Sequence, residues 1–371
     1  MQGREGMRQI ALIGGGFVAD LYMRSFALYR DIDIVGIYDR DAARLAAFSR
    51  YWQVDAFDNL CALLAALPEG TLVLNLTNPS EHFTVSQAIL GAGHHVFSEK
   101  PMVLDFAEAR TLADQAADAG LHLATAPSSV LGEAAQTLGR ALRSGAYGAP
   151  LLIYAELDDG FIPQAPTASW VSESGAPWPA KDEYATGCTL EHAGYYLSWL
   201  IAHFGPVVRV TTSVANVTGA GEAADLSVAV LQFDAGQVAR LTTSIAAPHN
   251  HGLLVVTEKG VLKMPQAWDN AAPVRFHRRF TLRRRLMEHP LGRRVRLHGA
   301  THPKVKRFGA AAMNFALGPV EMLEALAAGH MPRLAGDYAL HMTEVTLAVA
   351  RPGVHEMTTT CAPMEPMPWA H

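Results

Sequence analysis

RQIALIGGGFVADLYMRSFAL, residues 8–28, sets three glycines between an apolar run and a helix-like segment. Residues 8–13 read as a short buried strand and 17–28 as a helix, so Gly14–Gly16 form the turn between them. Gly14, Gly16 and Ala19 fill a G-x-G-x-x-G/A frame. The first glycine permits a tight turn, the second lets backbone approach a pyrophosphate, and the small third residue lets the helix pack on the sheet. The N–H groups of Phe17 and Val18 at the helix start then point at the anion. Such a turn is a weak signal alone; context strengthens it. A second strand, IDIVGIYD, ends at Asp39, 23 residues beyond Gly16, where an acid holds the adenosine ribose hydroxyls. Asp39 also repels a 2′-phosphate and favours NAD. Arg40 beside it offers the opposite, a cation that neutralises that phosphate or stacks on adenine, so NADP stays open.

The alternation continues. Helices are expected over 41–50 and 58–66, then the strand TLVLNL (71–76), then Thr77-Asn78-Pro79 and a helix from Ser80 to Gly91 with Ser80 as its cap. The strand HHVFSE leads into Glu99-Lys100-Pro101, followed by a helix over 105–119 and the strand LHLATA. Strands alternating with helices predict an α/β fold with a doubly wound parallel sheet, the Rossmann arrangement. In such sheets ligands sit beyond the carboxyl ends of the strands. Gly14–Gly16, Asp39, Thr77–Pro79 and Glu99–Pro101 all follow strand ends and are expected along one edge. The domain is assigned to residues 1–127.

The remainder, 128–371, reads differently. A helix over 132–143 precedes LLIYAELDD, VVRVTTSVANV, LSVAVLQF, QVARLTTSIAA and LLVVTEKGVLKM, with turn signals at FDAGQ and EKG. Many strands with few helices predict a C-terminal α+β domain on an open, mostly antiparallel sheet.

Bulk properties bound the function. A chain of 371 residues, half of them apolar, has room for two cored domains. A formal charge of −5 gives no reason to expect nucleic acid. The charge is uneven: 275–307 holds 12 Lys/Arg against Glu288 alone, about +11, leaving about −16 elsewhere. A solvated, partly helical insertion is the simpler reading of that segment; contact with a substrate phosphate or carboxylate, or with a neighbouring subunit's cofactor, is the other. Cys61, Cys188 and Cys361 are odd in number and lack a CxxC, which fits a reducing cytoplasm. The start, MQGREGMRQIALIGGG, runs straight into a strand, and no apolar stretch is long enough for a bilayer, so no membrane association is expected.

The glycine turn at 14–19, the T-N-P-x-x-H run from Thr77 to His82 and Glu99-Lys100-Pro101 resemble the Gfo/Idh/MocA oxidoreductases, which include glucose–fructose oxidoreductase and inositol dehydrogenase. The likeness spans nearly the whole chain, including RLAGDYALHMTEVTLAV and the terminal EPMPWA. The family usually reads T-P-N-x-x-H, so Asn78 and Pro79 stand exchanged. The resemblance implies NAD(P), a polyhydroxylated substrate, and a homodimer or homotetramer paired through the open sheet face. In many relatives a helix carries D-x-G-x-H, whose Asp and His face the substrate beside the lysine. The corresponding helix here is GCTLEHAGYYLSWLIAHFG, 187–205. Aligned by its length and the following Gly205-Pro206, Glu191 falls on the Asp position and Tyr195 on the His position. Leu190, Ala193, Leu197, Leu200, Ile201 and Phe204 form its apolar stripe, with Glu191, Tyr195, Ser198 and Cys188 on another face. His192 lies about 100° from Glu191.

Oxidising a secondary alcohol requires a base for the hydroxyl proton, and Lys100 is the first candidate, its pKa lowered by burial and by oxidised nicotinamide. Tyr195 is the second; Glu191 orients either group or binds a substrate hydroxyl, and His192 is a further candidate. Glu99 supports Lys100 or the cofactor ribose, and Pro101 fixes the turn. Thr77, Asn78, Pro79 and His82 complete the cofactor edge. Trp170 and Trp178, in SWVSESGAPWPAKDEY (169–184), offer aromatic faces to a polyhydroxylated ring, and proline-rich loop packing explains them nearly as well. His249 and His251 in APHNHG have no Cys or Asp/Glu at ligand spacing, so no metal site is expected. Three activities fit: a dehydrogenase acting on a ring hydroxyl of a sugar, sugar derivative or cyclitol; a net non-redox enzyme recycling bound NAD; and a cofactor-binding regulator, against which Lys100 argues.

Overall fold

The computed structural model describes residues 8–371; the first part of the start that is expected to run straight into a strand, residues 1–7, lies outside them. The chain forms two compact units. One runs through Ser128 and takes in Pro166–Thr186 and Asn314–Thr343; the other holds Ser129–Ala165, Gly187–Met313 and Glu344–His371. The first crossing is thus next to the expected boundary at 127, and two later segments return to the first unit.

In the first unit, β1 (Arg8–Ile13), β2 (Ile32–Tyr38), β3 (Leu72–Asn75), β4 (His95–Ser98) and β5 (Leu123–Thr125) pair in the order β2-β1-β3-β4-β5, all parallel. Helices on both faces make the strands near-continuous apolar runs, with Ala11, Ile13, Val73 and Val96 in the core against Leu63, Leu112 and Ala339. Register sets the functional edge. Ile13 is level with both Tyr38 and Asn75, and Asn75 with Ser98. Gly14, Asp39, Leu76 and Glu99, each the next residue, therefore leave the sheet together. Strand order reverses about β1, so β1 and β3 diverge at the switch point where α/β sheets bind ligands.

Asp41, Asn59 and Asp105 cap the helices Ala42–Trp52, Leu60–Ala66 and Phe106–Asp118, each accepting from backbone N–H groups of the first turn. Ser80 does not cap as expected. It lies within a 3-10 turn, Pro79–Glu81, and the α-helix begins at His82. Pro79, with its fixed φ, starts the helical turn early.

In the second unit the strands are β6 (Pro150–Asp158), β7 (Val207–Ala215), β8 (Leu226–Phe233), β9 (Val238–Ser244), β10 (Leu253–Thr257), β11 (Gly260–Met264), β12 (Arg275–Leu282), β13 (Arg285–Glu288), β14 (Arg293–Arg294) and β15 (Gly353–Glu356). They run β13-β12-β11-β10-β6-β9-β8-β7-β15, with β14 on β12. Among these pairings β6–β9 is parallel and the others antiparallel. One face is covered and one open. Along β8, Ala229, Leu231 and Phe233 are buried while Val228 and Val230 are exposed.

The basic segment is not helical. It forms the β12–β13 hairpin, where Leu282 pairs with Arg285 across a two-residue turn and Arg283 takes φ 55°. Hairpin turns of this kind usually announce themselves as Asn-Gly or Asp-Gly; here arginines occupy the turn, which hid it. The helix expected over 187–205 comprises Cys188–His192 and Gly194–Phe204, joined at Ala193. Every residue from His192 to Ala202 is buried, Tyr195 and Ser198 included, so the helix is enclosed on all sides rather than amphipathic.

Candidate active site

The cofactor edge is built by the glycine turn. Gly14 has φ 97°, and a Cβ there would stand 2.6 Å from the Leu76 carbonyl oxygen, so only glycine lets β1 and β3 approach so closely. Gly16 precedes the helix Phe17–Phe26, whose first turn receives no side-chain cap. The N–H groups of Phe17 and Val18 therefore retain the arrangement that suits a pyrophosphate. Asp39 is buried, its Oδ2 accepting from the Gly15 N–H (2.8 Å) and its Oδ1 from the Asp41 N–H (2.8 Å). Arg44, which the sequence reading passed over, brings Nη1 to 3.8 Å from Asp39 and pairs with Asp41 at 3.3 Å. Its signal was local: it stands three residues after the capping aspartate. Arg40 is largely exposed and pairs with Glu81 (3.2 Å). These residues fit a dinucleotide, with a free helix start for the phosphates and a carboxylate beside the turn for the ribose.

The second feature is the turn that carries Lys100. Glu99 is buried; its Oε1 accepts from the Tyr22 hydroxyl (2.7 Å) and its Oε2 from the Lys100 N–H (3.1 Å). The Lys100–Pro101 and Ala126–Pro127 bonds are cis. His82 is fully buried, with Nδ1 2.6 Å from the Pro101 carbonyl and Nε2 2.9 Å from the Thr77 carbonyl. One imidazole thus spans the chain segments leaving β3 and β4. Asn75, absent from the sequence-based candidates, anchors the same place. Its Nδ2 donates to the His82 carbonyl and Ser86 Oγ (3.0 Å each), and its Oδ1 accepts from the Thr77 hydroxyl (2.6 Å). A buried asparagine in an apolar strand must find such partners.

The loop with Trp170 and Trp178 folds with this unit. The two rings meet edge to face at 5.3 Å, and the loop is tied down on both sides. Glu173 accepts from Arg24 Nε (2.8 Å), Ser174 donates from N and Oγ to Asp20 (2.9 and 2.7 Å), and Asn78 Nδ2 donates to Asp182 (3.1 Å). Asn78 is thereby engaged with the loop, and Pro79 opens the 3-10 turn.

In the second unit, Glu191, His192 and Tyr195 lie on the helix pair 188–204. Glu191 is half-buried, and the other two are buried. His192 and Tyr195 both border Trp268, at ring-centroid distances of 6.2 and 6.0 Å. His192 Nε2 stands 3.8 Å from Asp159 Oδ2. The same indole contacts His249 (5.8 Å) and His251 (4.3 Å). Burial, with His249 and His192 nearby, pushes the His251 imidazole down to about 3, so the ring is neutral near pH 7. Tyr196, beside Tyr195, donates its hydroxyl to the His251 carbonyl.

A five-stranded parallel sheet with a glycine turn, a buried acid at the end of β2 and a switch point is the arrangement of an NAD-binding Rossmann domain. Comparison with known families agrees: residues 8–126 match the description "Oxidoreductase family, NAD-binding Rossmann fold" and residues 135–263 the "GFO/IDH/MocA C-terminal domain". The chain belongs to the Gfo/Idh/MocA oxidoreductase family. It is similar to D-apiose dehydrogenase of Paraburkholderia graminis, 27% identical over 245 residues covering 64% of this chain and 60% of that protein. It is also similar to UDP-N-acetylglucosamine 3-dehydrogenase of Acidithiobacillus ferrooxidans, 30% identical over 154 residues, 42% of this chain and 46% of that one. These matches span less than two thirds of either relative. A solved structure of the latter enzyme superposes with TM-score 0.70 at 21% identity, covering 92% of this chain and 96% of the other. The WlbA dehydrogenase from Bordetella pertussis, solved with NADH and UDP-GlcNAcA, gives TM-score 0.70 at 17% identity, covering 94% and 96%. Among the described residues no helix is long and apolar enough to cross a membrane.

Proposed function

We propose that this protein is an NAD(P)-dependent dehydrogenase that oxidises a ring hydroxyl of a sugar or sugar derivative, with Lys100 as the general acid/base. The observation that supports the reading is the turn after β4, where Glu99 accepts from the Tyr22 hydroxyl and from the Lys100 N–H, and His82 meets the Pro101 carbonyl. When bound, the nicotinamide supplies the hydride acceptor. The chain supplies the rest. Glycines 14–16 and the helix start hold the phosphates, Asp39 holds the ribose, and Lys100 Nζ takes the hydroxyl proton as the C–H bond breaks. Thr77, Asn78 and Pro79 line the same edge. Glu191, Tyr195 and His192 are proposed as hydroxyl-binding or proton-handling groups, and Trp170 and Trp178 as aromatic faces for a sugar ring. The names of the similar proteins, dehydrogenases of a pentose and of a nucleotide sugar, support a carbohydrate substrate. The open sheet face, with Val208, Val228 and Val230 exposed, supports pairing of subunits there, and an odd number of cysteines without a CxxC supports a cytoplasmic setting.

The test is NADH formation at 340 nm across free aldoses, glycosides and nucleotide sugars. Steady formation with one substrate class, lowered about 100-fold or more in Lys100→Ala while NAD still binds, is the expected result. Product without net NADH would mean bound NAD is recycled, and an unaltered rate in Lys100→Ala would remove the lysine from the chemistry.

A further inference from the structure

Asp159, His249 and His251 come from two segments some 90 residues apart, yet each brings one ligand-type atom to within 4.8 Å of the others'. Asp159 follows β6, and the two histidines lie in the connection from β9 to β10. His249 Nδ1 is 3.7 Å from Asp159 Oδ1, and the two imidazoles lie 4.0 Å apart between centroids. The arrangement around His251 points to a ligand. The ring is 1% exposed, its Nδ1 is 2.6 Å from Gln266 Oε1, and its Nε2 is buried without a hydrogen-bond partner. Since the amide oxygen can only accept, the proton sits on Nδ1 and the lone pair on Nε2. That is the state of a metal-ligating histidine whose other nitrogen is fixed by an outer amide.

We infer that Asp159, His249 and His251 form a binding site for a divalent first-row transition ion. Two neutral imidazoles and one carboxylate suit zinc, cobalt or iron rather than magnesium or calcium, which prefer all-oxygen sites. Three protein ligands leave positions open for oxygen atoms of water or a diol. Gln266 Nε2 now stands 3.1 Å from His249 Nε2. For His249 to ligate through Nδ1, its proton moves to Nε2 and this contact is exchanged for the ion; the ring is about half exposed and has room to turn. The Trp268 ring lies beside both histidines. The site stands independently of the dehydrogenase reading, because ion binding is measured without turnover.

The experiment uses the full chain, stripped with chelator and titrated calorimetrically with zinc chloride alone, then with cobalt(II) monitored by its visible absorption. About one equivalent is expected to bind. His249→Ala, at an exposed position that does not threaten folding, should weaken zinc at least 10-fold, as should Asp159→Asn. Gln266→Leu, which releases the His251 ring, should weaken it roughly 10-fold or more. His95→Gln, in the unrelated His95–His122 stack of the first unit, should leave it unchanged. No binding by the stripped chain, or binding that survives both His249→Ala and Asp159→Asn, would overturn the site. Loss of zinc only in His95→Gln would do the same.

Discussion

The Tyr22 hydroxyl donates to Glu99 Oε1 at 2.7 Å, joining the helix that follows the glycine turn to the residue before Lys100. The other oxygen of that carboxylate holds the Lys100 N–H. One buried acid therefore couples the helix Phe17–Phe26 to the turn that carries Lys100. Tyr22→Phe leaves Glu99 Oε1 without its donor and should cost about 1–3 kcal/mol of stability. It should lower kcat more than it raises the KM for NAD. Thermal denaturation and steady-state kinetics on one preparation check this; a kcat equal to the parent's would separate the contact from the chemistry.

His82 positions the same turn from the other side. A neutral imidazole has one N–H and can donate to only one of the two carbonyls it faces, so substitution should relax the segment after β3, the segment after β4, or both. His82→Leu is expected to reduce kcat/KM by about 100-fold, the scale at which a 1 Å displacement of a catalytic group is felt. His82→Gln, which can donate to one carbonyl, should recover part of it.

Asp39 is the residue that tests the choice of cofactor. Asp39→Ser removes the ribose acceptor and the charge that opposes a 2′-phosphate, while Arg40 and Arg44 remain. The KM for NAD should rise about 10-fold or more, equivalent to about 1.4 kcal/mol, and the ratio of NADP to NAD turnover should rise with it. An unchanged ratio would show that Asp39 does not meet the ribose.

Acid should destabilise the second unit through His203. Burial pushes this imidazole down to about 4, helped by the Arg143 guanidinium, against about 6.5 in an unfolded chain. Above pH ~6.5 the ring is neutral in both states. As pH falls from ~6.5 toward ~4 only the unfolded chain takes up the proton, so stability is lost across that window and the loss levels off below it. His203→Asn should flatten this limb of a urea-midpoint profile between pH 7 and 4. Gly139 belongs to the same contact: a Cβ there would stand 2.7 Å from the His203 ring, so Gly139→Ala should destabilise the unit.

Arg283 holds φ 55° in the β12–β13 turn, a conformation that costs a side-chain residue about 1–2 kcal/mol. Arg283→Gly should therefore raise the stability of the hairpin, read as slower amide exchange across β12 and β13, with no change in turnover.

What was legible in the sequence was local. The glycine frame shows because a chain reversing beside a neighbouring strand tolerates no Cβ at Gly14. The parallel sheet shows because buried strands and crossover helices impose their own periods. Glu99-Lys100-Pro101 stood out because it is a short polar motif directly after a buried strand. The rest depends on residues far apart in the chain. No spacing tells that Glu99 meets Tyr22, that Asn75 holds Thr77 and His82, or that the Trp170–Trp178 loop is tied to Asp20 and Arg24. Nor does APHNHG disclose Asp159, some 90 residues earlier, beside its histidines. Backbone sterics and hydrophobic period are written residue by residue. Which side chains meet across a sheet was decided only when β6, β9 and β10 came together, because a contact between distant segments needs only compatible partners and leaves no pattern in either one.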